Sequence, residues 1–156
     1  MVLTKLVYLE DLYNKLKGES IYNTYSKINQ YFLDPSANTW NAMYTGLNAF
    51  VSDNSSNEFY INLRILISDA DGTVVYDSSK KSNSSGQINT YANYVAKTIN
   101  ENHNSRLAIM TALVSSAGTG REQKWSTSTR SFEQYLAVRI GLNSEAAFGC
   151  IRISVV

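Results

Sequence analysis

One cysteine, one histidine and one proline stand among the 156 residues, and each scarcity excludes something. A single thiol, Cys150, cannot close an internal disulfide, and with His103 alone beside it no zinc-type ligand cluster exists. Cys150 lies between Gly149 and Ile151 in an apolar stretch, so a buried, inert thiol is the simpler reading. His103 sits in Asn-His-Asn at a helix break. No G-x-S-x-G elbow or other activated nucleophile accompanies it, and a solvated loop histidine is expected. Charge of one sign is missing too. The net charge is +1, only 17% of residues are charged, and the densest basic cluster is Lys80-Lys81. No field exists to recruit nucleic acid or an anionic membrane. No apolar run approaches ~18 residues, so no membrane span is expected. Lys5, Glu10 and Asp11 interrupt any secretory leader, and the chain reads as a soluble protein or a soluble piece of one.

What the chain has is periodicity. Leu3, Leu6, Leu9 or Val7, Tyr13 and Leu16 make a helical stripe that Ile21, Tyr25, Ile28 and Phe32 continue, with a break near 17–20 where Ser20 offers a cap. Asp34-Pro35 stops the helix, and Ser36 caps a second one through Trp40, Met43, Leu47 and Phe50. Residues 53–57 read as a polar loop. From Phe59 to Ile67 apolar residues alternate, Asp69-Ala70-Asp71-Gly72 turns the chain, and Thr73–Tyr76 returns, which predicts a hairpin. The Ser/Asn/Lys/Gly-rich 77–87 reads as a loop. Helices are predicted from Ile88 and over 106–115, the last ended at Ala117-Gly118. Strands follow at 122–128, 132–140 and 148–155, the last two joined at Asn143-Ser144-Glu145. The expected architecture is a single α+β domain over 1–156. It has a helical lead-in (1–52), then a five-stranded antiparallel sheet with inserted helices (58–156). The long N-terminal helix covers one face and the inserted helices the other.

This order, with Ile65–Ser78, the Gly118-Thr119-Gly120 helix ending, Tyr135–Ile140 and Gly149–Val155, resembles the PAS-like or single-Cache sensor domains of bacterial histidine kinases and chemoreceptors. The chain departs from phosphate-response-like members at Lys124 or Trp125, where they often carry Arg, and at Arg139, where they carry Pro. The resemblance implies a non-enzymatic signal-receiving role, a small ligand held between sheet and inserted helices, and a homodimer through the N-terminal helix. An excised membrane sensor would lie outside the cytoplasm. The alternative is a structural or protein-interaction module with a Cache-like fold and no ligand. An Asn/Ser/Tyr-rich, proline-poor composition suits such a module from a large DNA virus.

The residues themselves suggest where a ligand would sit. Tyr60, Asn62 and Arg64 share a parity that Tyr135, Arg139 and Arg152 can meet across the sheet, and Trp125 adds an aromatic wall. Together they suit a carboxylate- or amine-bearing small molecule. The candidate ligand-binding set is therefore Trp125, Tyr135, Arg139, Arg64 and Tyr60, with no catalytic residue, metal or cofactor. Seating the N-terminal helix is the simpler role for the same residues. Asp69 and Asp71 read as turn formers in preference to a cation site, which would need more oxygen ligands.

Overall fold

In the computed structural model, residues 2–79, 107–127, 130–141 and 147–156 are described. They form four helices: α1 (Val2–Gly18), α2 (Thr24–Leu33), α3 (Ala37–Ser55) and α4 (Leu107–Val114). The strands are β1 (Arg64–Asp69), β2 (Val74–Asp77), β3 (Thr119–Ser126), β4 (Ser131–Gly141) and β5 (Ala147–Val155). They make one antiparallel sheet in the order β2-β1-β5-β4-β3. The α+β class and the five-stranded antiparallel sheet are as the periodicity predicts. The expected helix from Ile88, the 77–87 loop beyond Ser79, the Asn143-Ser144-Glu145 turn and His103 lie outside the described residues.

The starts of α3 and α2 each have a local cause. Ser36 and Thr39 form a reciprocal capping box at the start of α3, just after Pro35. The start of α2 differs from expectation. Glu19, rather than Ser20, accepts from the N–H of Thr24 at 3.1 Å and from its hydroxyl at 3.0 Å. Ile21, assigned to the apolar stripe, falls in the connection and is exposed. Residues 53–55 are helix, not loop. The Asn54 side chain is buried, donating to the Phe50 carbonyl at 2.8 Å and accepting from Lys15 Nζ at 2.8 Å.

The core has two parts, divided by the sheet. Leu9, Leu12, Leu16, Ile28, Trp40, Met43 and Leu47 of the first three helices pack with Ile65, Ile67, Leu136, Ile140, Ile151 and Ile153. The residues of opposite parity, Leu66, Tyr135, Ala137 and Cys150, pack with Ala108, Ile109, Ala112 and Leu113 of α4. Burial of four successive residues on β1, Ile65–Ser68, is what a central strand covered on both faces requires.

β1 is shorter than its alternation predicts. Residues 56–63 run as turns, with Tyr60 N–H to Asn57 O at 3.0 Å and Leu63 N–H to Tyr60 O at 3.2 Å. Asn62 adopts a left-handed conformation at φ 54°, which asparagine tolerates better than most residues and which interrupts the extended backbone. Tyr60 therefore leaves the sheet and enters the helical core cluster.

Candidate ligand-binding site

Register decides which of the candidate residues meet. Glu122 stands opposite Tyr135, Tyr135 opposite Ser154, and Ser154 opposite Arg64. In the next row on the same face, Ala137 faces Arg152, Arg152 faces Leu66, and Leu66 faces Asp77. Directly opposed residues in an antiparallel sheet share a face. Arg64, Tyr135, Arg139, Arg152, Asp77 and Glu122 thus form a polar layer on the α4 side. Trp125 does not join them. It is paired with Phe132, whose parity is that of Leu136, and so it points to the α1–α3 face. There the two rings meet edge to face at 5.1 Å, both about half exposed. Of the five residues, the fold brings Arg64, Tyr135 and Arg139 to one face and sends Trp125 and Tyr60 elsewhere.

Four members of the layer meet in two pairs, Arg64 with Asp77 and Arg152 with Tyr135. Arg64 grips Asp77 with two nitrogens, Nε to Oδ1 at 2.9 Å and Nη2 to Oδ2. Burial works to raise the Asp77 carboxyl, but the Arg64 guanidinium and the donors of Ser79 outweigh it and hold it below the ordinary carboxylate value. Arg152 is fully buried and stacks its guanidinium 4.9 Å above the Tyr135 ring. Burial and then the neighbouring Arg64 charge lower the Arg152 pKa, while Tyr135, Asp77 and Glu122 act in the other direction. Tyr135 donates its hydroxyl to Glu133. Arg139 turns to α4, donating from Nη1 to the carbonyl of Ser115 at 2.6 Å and of Ala112 at 3.3 Å. It serves as a C-terminal cap.

Sequence reasoning did not find Asp77, Glu122 and Glu133, because carboxylates at the ends of strands read as solubilising charge. Their parity relative to Arg64 and Tyr135 was the available signal. A cavity of about 180 Å³ opens at the edge of this layer, lined by Asn62, Arg64, Glu133, Ser154, Val155 and Val156. It is smaller than the ~300–1,000 Å³ typical of sites for drug-sized ligands, so it suits a molecule of a few heavy atoms. A second hollow of about 240 Å³ lies on the other face between α1 and β3, where Glu10 and Arg121 close an ion pair across it.

Asp69 acts in the turn. Its Oδ1 accepts from the N–H groups of Asp71 at 2.9 Å and Thr73 at 3.0 Å, and Gly72 takes φ 85°. Among the described residues, no three His, Cys, Asp or Glu side chains converge as a metal-ligand set, and no helix is long and apolar enough to cross a membrane. No protein-family model matches the chain, and no curated protein matches it.

Proposed function

We propose that this chain is a PAS-like or Cache-like sensor domain, non-catalytic, that binds a small carboxylate- or amine-bearing molecule on the α4 side of its sheet. The observation that carries the reading is the polar layer beside an open cavity, on a sheet of order β2-β1-β5-β4-β3. A sheet face meant only to seat a helix needs apolar residues, yet this one holds the Arg64–Asp77 pair, Arg152 over Tyr135, and Glu133. Guanidinium and carboxylate groups side by side offer a partner for either end of a small zwitterion. An α+β chain whose five-stranded antiparallel sheet has helices packed on both faces supports the reading.

A thermal-shift screen with free amino acids, mono- and dicarboxylates, amines and divalent cations tests this. A ligand at a hundred times its Kd stabilises by ~2.7 kcal/mol, a rise of about 5–10 °C in Tm for a domain of this size. Arg64→Gln should weaken binding of the responding ligand about tenfold or more, whereas Trp125→Ala, on the opposite face, should leave it unchanged. Absence of any shift across the screen rejects the sensing reading.

A structural or interaction module without a ligand is the second reading. What favours it is that Arg64 and Arg139, the two candidate forks for a ligand, are held by groups of the same chain. In either case the homodimer implied by the resemblance needs a surface. From Tyr8 onward the apolar stripe of α1, with Leu9, Leu12 and Leu16 fully buried, packs into the core of its own chain.

A further inference from the structure

We propose that the open edge of β3 is a self-association surface, on which two copies pair β3 antiparallel to β3 about a twofold axis at Gln123. The joined sheets would make one sheet of ten strands, five from each copy.

Among the described residues β3 is an outer strand paired only with β4, over eight unbroken register pairs from Thr119 to Ser126 with no bulge. An edge of that length and regularity is a template for another strand. Its hydrogen-bonding phase is known. The Gly118 carbonyl accepts from the Arg139 N–H at 2.8 Å, marking that pair as hydrogen-bonded. The alternation of an antiparallel ladder then makes 120/137, 122/135 and 124/133 the bonded pairs with β4. The N–H and C=O groups of Arg121, Gln123 and Trp125 consequently face the open side.

Two such edges can meet antiparallel only with outward residues opposite outward residues, so the twofold axis must pass through a residue. Charge selects which one. Centring on Arg121, Glu122 or Lys124 sets each of those charges against its own copy. Centring on Trp125 leaves the charges of the strand unmatched. Centring on Gln123 puts Glu122 opposite the second copy's Lys124, twice, in the closer, non-hydrogen-bonded pairs where side chains interact most. The same register sets Arg121 opposite the exposed ring of Trp125, again twice, and a guanidinium against an indole is favourable. Arg121, Gln123, Lys124 and Trp125 are all exposed in the single chain. Arg121 keeps its ion pair with Glu10, and among the described residues Glu122 accepts a long hydrogen bond, 3.4 Å, from the Ala108 N–H. An isologous contact of this kind closes at two copies and leaves no further β3 edge exposed.

Sedimentation velocity over a concentration series, with charge variants, tests the proposal. The native chain should dimerise. Glu122→Lys and Lys124→Glu should each raise the dimer dissociation constant about tenfold or more, since each replaces two attractive pairs with two repulsive ones. An equimolar mixture of the two variants should recover association, because each supplies the charge the other now lacks. Gln123→Pro should remove the central bonded pair while leaving the β4 ladder, which does not use that N–H. Its far-UV circular dichroism should match the native chain. A native chain that stays monomeric at every concentration, or a dimer whose strength none of these variants changes, overturns the proposal.

Discussion

Arg139 on β4 donates from Nη1 to the carbonyl of Ser115 at 2.6 Å, tying the C-terminus of α4 to the sheet beneath it. Gly118 leaves room for this. It takes φ 70°, and a Cβ there would lie 3.2 Å from Arg139 Nη2. Arg139→Met keeps the stem and removes the donors, leaving the last carbonyls of a buried-faced helix without their cation. It should destabilise by about 1–2 kcal/mol, read as a lower urea midpoint at unchanged slope.

Trp40 on α3 makes a comparable tie to the opposite edge, its indole N–H donating to the Val75 carbonyl at 2.8 Å. Ile67 faces Tyr76 and Ser68 faces Val74, so Val75 is the extra residue of a bulge. Trp40→Phe should cost about 2 kcal/mol, combining the lost bond with lost volume in a fully buried position. Chemical denaturation of the two proteins side by side is the check.

Asp77 gives the fold an acid limb. Its carboxyl is held below the ordinary value, so its contribution is fully present above about pH 4, the unfolded pKa. That contribution is lost as pH falls through the folded pKa. Arg64→Gln should remove it and leave a buried carboxylate without its cation. The expected loss at neutral pH is about 2 kcal/mol, below the value for fully buried pairs because the Arg64 side chain is 34% exposed. Denaturation midpoints from pH 3 to 7 should show the variant converging on the native protein at the acid end.

Gly120 lets α4 lie directly on β3. A Cβ there would fall well inside van der Waals contact distance of the Ala108 carbonyl oxygen and 3.0 Å from the Ala112 nitrogen, both main-chain atoms that no rotamer can move. Gly120→Ala should therefore cost about 3 kcal/mol, at the upper end for overpacking. Loss of near-UV signal at a lower temperature than in the native chain would register it.

Cys150 should be silent toward thiol reagents while the chain is folded. It is fully buried, and burial pushes its pKa up to about 12, leaving almost no thiolate at neutral pH. Labelling by an aromatic disulfide reagent should follow global unfolding, rising in step with denaturant. Rapid labelling in native buffer would contradict the placement of β5.

The residues that announce themselves locally were legible in the sequence. The Ser36 cap, the turn at Asp69–Gly72, the left-handed Gly118 and the apolar positions Trp40, Met43, Leu47 and Phe50 act through neighbours within a few residues, so pattern suffices. The alternation through Phe59, Ile61 and Leu63 misled because one left-handed residue, Asn62, ends a strand without changing the pattern around it. The candidate site was legible only in part. Arg64 and Tyr135 could be placed on one face by counting along their strands. Trp125 could not, because its face depends on the register in which β3 pairs with β4, and a slip of one residue reverses every side chain. Asp77 and Glu122 became partners of that layer only through strand pairing across the sheet, whereas Glu133 meets Tyr135 from two residues away on the same strand. Sequence by itself thus determined the α+β class, the five antiparallel strands and the inward residues of α3, since these follow from short-range periodicity. Tertiary structure decided which charges meet, which aromatic residues stay exposed and which described strands stand outermost in the sheet, since each is set by contacts between segments far apart in the chain.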